Sequence, residues 1–213
     1  MLNAMARRKD QDDRRLQLAQ ATRRAIAARG IGGVRLKDVA AEAGLSSQSV
    51  LYYYPDLREL VEHAIEHTLE RFAQRRAAAA AAIDNPRTAL ISTIRAGLPN
   101  GPDDEDLRIL YEAAGYFRDD HALGERIRAM TAQQVEVYQR ILEQGQARGE
   151  FELADASEAI ARNLVALEDA YGLYVISGAP IVDDAVSQIL SFASMATRCD
   201  LGRSASRTPR QTH

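Results

Sequence analysis

Two short helix-sized segments separated by only three residues constrain this chain more than any other feature. Apolar side chains recur at helical spacing between Leu36 and Ala43, so one face of the first segment is predicted to be buried. Gly44 suits the left-handed conformation that ends helices, Ser46 offers a hydroxyl to cap the next helix, and Pro55 terminates it. Because the connection is so short, the second helix must cross the first steeply, which is the plan of a helix-turn-helix.

The second short helix has polar and aromatic side chains on the face that it is expected to expose, while Leu45, Val50 and Leu51 are predicted to form its buried side. In a helix-turn-helix this second helix enters the major groove of DNA, and its first residues contact base edges. Hydroxyl and amide groups exchange hydrogen bonds with base edges, and glutamine suits adenine. The residues of this segment expected to reach DNA are Ser46, Ser47, Gln48, Ser49, Tyr52 and Tyr53.

Three consecutive tyrosines end the second short helix. At about 100° per residue, Tyr52, Tyr53 and Tyr54 span about 200° of the helix circumference. A helix this small cannot bury all three rings, so at least one is expected to face outward. A phenol there donates to a phosphate while its ring packs on a sugar or a thymine methyl group. On the sequence alone, the alternative that all three are packing residues with surface hydroxyls stays open.

The charge of the chain is uneven along its length. The formal net charge is −3, yet residues 1–56 contain ten basic and six acidic side chains. A basic first quarter on an acidic remainder indicates a polyanionic partner for the N-terminal part, although surface arginines are commonly just solvated. Arg35 and Lys37 lie at the N-terminal end of the first short helix, and Arg58 follows the second, so all three are candidates for phosphate contacts.

Helical periodicity continues to about residue 200 and predicts an all-α protein. The predicted organisation is a flexible basic arm over residues 1–12, a three-helix DNA-binding head over 13–56, a helical ligand-binding and dimerisation domain over 57–201 that begins with a long helix, and a disordered tail over 202–213. Further helices are predicted over about 87–97, 104–117, 121–148, 155–177 and 181–200. The charged N-terminus, the lack of a membrane-length apolar stretch and the single Cys199 favour a cytoplasmic protein.

The last two predicted helices are apolar on more than one side. A helix with two apolar sides needs partners on two sides. We therefore expect a symmetric homodimer through the helices at about 155–177 and 181–200. The alternative is that both are central helices of a monomer.

The run from Arg35 to Leu60, preceded by a helix that ends at Gly30, resembles the tetracycline-repressor (TetR) family of bacterial regulators. Val39-Ala40 stands for the family's Ile-Ala, the residues 43–46 for its Ala-Gly-Val-Ser turn, and Tyr54 for its aromatic Phe. The resemblance covers roughly residues 14–62. It implies a repressor that binds a near-palindromic operator in double-stranded DNA and is released from it by a small-molecule effector.

Three positions depart from the pattern of that family. Arg35 stands where a threonine is frequent, Leu51 where a phosphate-binding tyrosine is common, and Leu57 where a lysine is common. Two of the phosphate contacts that the resemblance implies are therefore missing. The residues available to make phosphate contacts in their place are Arg35, Lys37, Tyr52, Tyr53 and Arg58.

The resemblance also implies an effector pocket among the helices between residues 87 and 177. Glu112, Glu168 and Asp169 lie within apolar helical stretches, where a buried carboxylate needs a partner. A cationic or amphipathic amine would satisfy such a carboxylate; the alternatives are a solvated face or an ion pair with Arg108 or Arg162. The candidate lining residues are Tyr111, Glu112, Phe117, Gln134, Tyr138, Asp169 and Tyr171.

Catalysis and metal binding are not expected. His63 and His67 are four residues apart, a spacing that can hold a metal, but no cysteine or further histidine lies nearby in the sequence. A di-iron site would need Glu-x-x-His pairs, and none of the four histidines has a glutamate three residues before it. We expect no cofactor and no enzymatic activity. An all-helical interaction bundle and a non-haem metal enzyme are the competing hypotheses.

Overall fold

A computed structural model describes residues 2–116, 121–178 and 182–202, and within these ranges every regular element is an α-helix. This confirms the predicted all-α class. The helices in chain order are α1 (Leu2–Arg29), α2 (Leu36–Ala43), α3 (Ser47–Leu51), α4 (Leu57–Ala81), α5 (Pro86–Gly97), α6 (Glu105–Tyr116), α7 (His121–Ala147), α8 (Ser157–Ile176) and α9 (Val182–Thr197).

The ends of these helices follow from local chemistry. Asn85 caps α5, because its Oδ1 accepts a hydrogen bond from the Thr88 N–H at 2.9 Å, and Pro86 occupies the first turn. The Oδ1 of Asp56 accepts from the N–H of Glu59 at 2.9 Å at the start of α4. The predicted boundaries of α2 to α9 hold to within three residues, the largest difference being the end of α9 at Thr197 rather than near 200.

The start of α1 differs from the prediction. The helix begins at Leu2 rather than near Asp13, so the segment expected to be a flexible arm has helical backbone. Residues 2–12 contain no glycine or proline, and seven of the eleven are leucine, alanine, methionine, arginine or lysine. Nothing in that composition stops a helix, and most of these residue types favour one.

The chain divides into two compact units, each with its own apolar core. Unit 1 comprises Met1–Phe72 and Asp104–Met130, and unit 2 comprises Ala73–Asp103 and Thr131–His213. The divisions fall within α4 and α7 rather than at residue 56, where the sequence predicts the end of the DNA-binding head. The reason is that the part of α4 up to Phe72 and most of α6 contribute apolar side chains to the same core as α1.

The core of unit 1 fixes α2 and α3 in place. Val39, Val50 and Tyr54 are fully buried there, together with Leu18 of α1 and Leu60 of α4. Burying a large apolar side chain contributes about 1.5–3 kcal/mol, so these few residues suffice to hold the two short helices.

Unit 2 is built around the C-terminal helices. Its core contains Leu90 and Ile94 of α5, Leu142 of α7, Leu164 of α8 and Ile189 of α9, all fully buried. Within this unit α5 packs against both α8 and α9, and these two pack against each other.

Two predictions fall wholly or mostly outside the described residues. They are the candidate ligand residue Phe117 and the C-terminal tail, of which only Gly202 is described. In the part of the chain that is described, no helix combines the length and the apolar character needed to cross a membrane.

Candidate functional site

The turn between α2 and α3 is built on Gly44. This residue has φ = 65°, in the left-handed region that glycine adopts without steric cost. The N–H of Leu45 donates to the carbonyl of Ala40 at 2.9 Å, and the N–H of Gly44 donates to that of Ala41 at 3.2 Å. These two bonds form a Schellman motif, which closes α2 and redirects the chain within three residues.

Ser46 begins α3. Its hydroxyl oxygen accepts a hydrogen bond from the N–H of Ser49 at 3.1 Å and lies 2.9 Å from the Ser49 hydroxyl. The predicted DNA-binding residue Ser46 is therefore also the N-cap, and its oxygen is engaged in holding the helix.

The outer face of α3 is open to solvent. Val50 is fully buried and points into the core, whereas Gln48 is exposed. Tyr52 ends the helix with helical backbone angles, and its side chain is 70% exposed. The expectation that at least one of the three tyrosines faces outward is thus confirmed.

Leu51 contradicts its prediction. The sequence places it on the buried side of the helix, yet its side chain is 44% exposed. The short helix has room for one fully buried position, and Val50 takes it, while Leu45 is only half-buried.

Tyr54 holds the segment that follows α3 against the core of unit 1. Its ring is fully buried, and the guanidinium carbon of Arg15 lies 4.3 Å from the ring centroid. The Tyr54 hydroxyl donates to the carbonyl of Arg15 at 3.3 Å and also contacts Nδ1 of His63. Arg15 in turn donates to the carbonyl of Tyr53 at 3.1 Å and pairs with Glu59 at 3.1 Å.

Burial shifts the titration of Tyr54 and His63. It raises the pKa of the Tyr54 hydroxyl above its ordinary value and lowers the pKa of the His63 imidazole. Both groups are therefore neutral near pH 7, and the contact between them is uncharged. Arg15 was not predicted, and the sequence signal for it was only its position one turn before the buried Leu18.

The predicted basic residues are accessible. Arg35 and Lys37 are both exposed at the start of α2, where the backbone N–H of Arg35 donates to the carboxylate of Asp38 at 3.0 Å. Arg58 is exposed too, but its Nε lies 2.6 Å from Oε1 of Glu62 in a pair along α4. Of the remaining predicted contacts, Ser47, Ser49 and Tyr53 are partly exposed.

The predicted ligand residues do not form one site within either unit. Tyr111 and Glu112 belong to unit 1, whereas Gln134, Tyr138, Asp169 and Tyr171 belong to unit 2. Glu112 pairs with Arg108 at 3.2 Å, as the alternative reading expected, and accepts a hydrogen bond from the N–H of Ile31 at 2.9 Å. Asp169 is exposed and Tyr171 is half-buried.

A buried polar cluster within unit 2 gathers Gln134 and Tyr138 around an ion pair. Nη1 of Arg76 lies 2.9 Å from Oε2 of Glu168, and the two side chains are 3% and 2% exposed. Arg76 also donates to Oε1 of Gln134 at 2.7 Å, and the Tyr138 hydroxyl donates to Glu168. The cluster joins α4, α7 and α8.

The electrostatics of this cluster are dominated by burial. Removal from water raises the pKa of Glu168 to about 7, against the pull of the neighbouring Arg76 guanidinium. Burial also raises the pKa of Tyr138 well above its ordinary value, so its hydroxyl stays a donor. The guanidinium of Arg76 remains charged.

Comparison with known proteins bears on the N-terminal helices. The family model described as "Bacterial regulatory proteins, tetR family" matches residues 18–64, which contain α2, α3 and the Gly44 turn. The N-terminal part of this chain therefore matches the tetR family. The matched segment contains the helix-turn-helix that the sequence predicts.

Known proteins are similar to this chain over different lengths. The HTH-type transcriptional regulator PksA of Bacillus subtilis (strain 168) is 35% identical over 71 residues, which are 33% of this chain and 35% of PksA. The match therefore spans about a third of that curated relative.

Solved structures match nearly the whole chain. A putative TetR-family transcriptional regulator from Rhodococcus sp. has 25% identity and a TM-score of 0.70, covering 87% of this chain and 99% of its own. A putative transcriptional regulator from Saccharomonospora viridis, solved in complex with choline, has 21% identity and a TM-score of 0.78, covering 86% and 96%. The second likeness concerns the fold alone.

The sequence does not predict a role for Arg76. The ion-pair partners expected for a buried carboxylate were Arg108 and Arg162, but Arg108 pairs with Glu112 at 3.2 Å and Arg162 with Glu158 at 2.6 Å. Position 76 continues the buried stripe of α4 through Leu69 and Phe72 at helical spacing, and this is the signal that marks it as buried.

Among the described residues, no group of three histidine, cysteine, aspartate or glutamate side chains is arranged to hold a metal ion.

Proposed function

We propose that this chain is a sequence-specific DNA-binding transcriptional regulator that reads its operator with α3. The observation that carries the proposal is the outer face of α3, where Gln48 and Tyr52 are exposed while Val50 and Tyr54 hold the helix from below. A rigidly mounted helix with exposed amide and phenol groups suits the major groove, whose base edges present hydrogen-bonding groups.

The roles of the contacting residues follow from their positions. Gln48 and Tyr52 point away from the core and contact base edges, with Ser47, Ser49 and Tyr53 at the margins of the same surface. The exposed Arg35 and Lys37 contact phosphates, which position the protein without carrying sequence information. The exposed Arg58 is a further candidate for a phosphate contact, and Ser46 acts by capping α3.

The functional form in this proposal is a homodimer through α8 and α9. Within unit 2, Leu173 and Tyr174 of α8 are 49% and 53% exposed, and Met195 of α9 is 64% exposed. Apolar groups of this size on two neighbouring helices are expected to be covered by a second copy. A symmetric dimer presents two reading helices, which suits a near-palindromic operator.

A small-molecule effector releases the dimer from DNA in this proposal. The effector binds the helical body and shifts α4, which continues into the head, so that the two reading helices no longer fit the operator. Such a switch requires the effector to bind the conformation that does not match the operator more tightly than the one that does. The choline found with the Saccharomonospora viridis regulator makes a cationic amine a sensible first compound to test.

A DNA-bound regulator without catalytic activity acts where the bacterial DNA is, in the cytoplasm.

A gel-shift experiment tests the proposal. The purified chain is mixed with duplex DNA from upstream of its own gene and, in parallel, with a randomised duplex library from which bound sequences are recovered. The expected result is a retarded complex and enrichment of a near-palindromic sequence. A chain that enriches no sequence over the starting library contradicts the proposal.

A further inference from the structure

Leu51 is an apolar side chain on a surface that otherwise offers polar and aromatic groups. It is the last residue of α3 and is 44% exposed, so nearly half of its side chain lies outside the core. A single exposed leucine on a protein surface is ordinary. Leu51 differs from other exposed leucines because it lies on α3, the helix that we propose enters the major groove.

The helix geometry places Leu51 beside the base-reading residues. At about 100° per residue, Gln48 and Tyr52 point almost directly away from the buried Val50. Leu51 lies about 100° to one side of Tyr52, one turn after Ser47 and on the same edge of the helix. The helical backbone angles of Tyr52 show that this spacing is kept to the end of the segment.

We propose that Leu51 is a specificity-determining residue that contacts the C5 methyl group of a thymine in the operator. This inference rests on the proposed function, because it assigns one base contact within the same DNA-reading surface. The leucine side chain has no hydrogen-bond donor, so it cannot bind a phosphate oxygen. In the major groove the only apolar group that a base pair presents is the thymine methyl group.

The surroundings of Leu51 favour DNA over a protein partner. The exposed Arg35 and Lys37 belong to the same helix-turn-helix, and the first 56 residues have an excess of basic side chains. Positive charge of this kind complements a phosphate backbone. One leucine beside polar groups is also much smaller than the apolar patches that mark protein interfaces.

The experiment replaces thymine by deoxyuridine in the operator recovered from the randomised library. Deoxyuridine lacks only the C5 methyl group and keeps every hydrogen-bonding group of thymine. Each thymine is replaced singly, and the dissociation constant is measured by fluorescence anisotropy at one salt concentration. The proteins are the full chain, Leu51→Ala and the control Leu16→Ala, whose leucine on α1 is 37% exposed.

The expected result is at least one thymine whose replacement weakens binding of the unchanged protein by about fourfold, the effect of burying one methyl group. The same replacement leaves the affinity of Leu51→Ala unchanged, and Leu16→Ala retains the full loss. Because the deoxyuridine effect is first measured on the unchanged protein, it does not depend on the folding of a variant.

Three other outcomes overturn the inference. If no deoxyuridine replacement weakens binding, or if Leu51→Ala keeps every loss seen with the unchanged protein, Leu51 reads no thymine although the chain still reads DNA. If the library yields no preferred sequence at all, the proposed function fails and the assignment of Leu51 fails with it.

Discussion

Gly97 of α5 approaches Glu168 of α8 so closely that a Cβ atom on the glycine would lie 2.1 Å from Oε1 of the carboxylate. Glu168 cannot simply move aside, because its oxygens are held by Arg76 and Tyr138 in a region without solvent. The absence of a side chain at position 97 is therefore what allows the buried ion pair to exist against α5.

Replacing Gly97 by alanine is expected to destabilise unit 2. Glycine to alanine within a helix ordinarily stabilises by up to about 1 kcal/mol, but here the new methyl group forces the Glu168 carboxylate out of its ion pair. The free energy of unfolding from urea denaturation should fall by about 1–3 kcal/mol.

Gly115→Ala is the matched control, because that position in α6 is exposed and has open space around it. This variant is expected to be as stable as the unchanged protein or slightly more so. Equal effects at the two positions would show that the close approach at Gly97 carries no constraint.

The buried ion pair is expected to be costly to break and less costly to replace. At pH 8, where Glu168 is ionised in the unchanged protein, Arg76→Met removes the cation from a buried carboxylate and should lower the free energy of unfolding by about 3–5 kcal/mol. The double variant Arg76→Met/Glu168→Leu removes both charges and should recover much of that loss. Urea denaturation of the two proteins measures the difference, and a double variant less stable than the single one would contradict this account.

The raised pKa of Glu168 predicts a specific dependence of stability on pH. Its value of about 7 in the folded protein exceeds the ordinary 4.5, so between these values the folded state binds more protons than the unfolded state. Stability from this group is therefore greatest below about pH 4.5 and falls as the pH rises to about 7, by about 3 kcal/mol in total.

Glu168→Gln isolates this contribution. Arg76 and Tyr138 do not titrate in the window. The pKa of the neighbouring Asp169 is raised by partial desolvation, but this residue is present in both proteins and its contribution is common to them. From pH 5 to pH 7.5 the free energy of unfolding of the unchanged protein should fall steadily relative to that of Glu168→Gln. A difference that stays constant over this range would place the Glu168 carboxyl at its ordinary pKa.

Most of the fold could be predicted from local signals. Glycine at the end of α2, serine before α3 and the Asn-Pro pair before α5 each act on the backbone within a few residues, so their effects are visible in the sequence. The start of α1 was not predictable in this way, because no residue between 2 and 12 marks a boundary.

The candidate sites were predictable to different degrees. The exposed Gln48 and Tyr52 follow from helical periodicity, but the exposure of Leu51 depends on how little room the core leaves below a five-residue helix. The pairing of Arg76 with Glu168 joins residues 92 positions apart, and nothing local to either residue specifies it. Likewise, the packing of α6 in the same core as α1 is set by tertiary contacts.

The exposed apolar side chains of α8 and α9 predict a dimer that one charge disrupts. Leu173→Glu places a carboxylate in the proposed interface and should shift the protein towards the 23.5 kDa mass of one chain in light scattering after size exclusion. Leu16→Glu changes a leucine of similar exposure on α1 and should stay dimeric. A native protein that already runs with the mass of one chain would contradict the proposed dimer.

The measurement that tests the central claim most directly is the ratio of affinities for the selected operator and for a scrambled duplex at the same salt concentration. We expect the native protein to prefer the operator by at least about 10³-fold. Gln48→Ala should lower that preference by about tenfold. Arg35→Ala should instead weaken both duplexes alike and reduce the salt dependence by about one phosphate contact. Equal affinity of the native protein for the two duplexes would contradict the account.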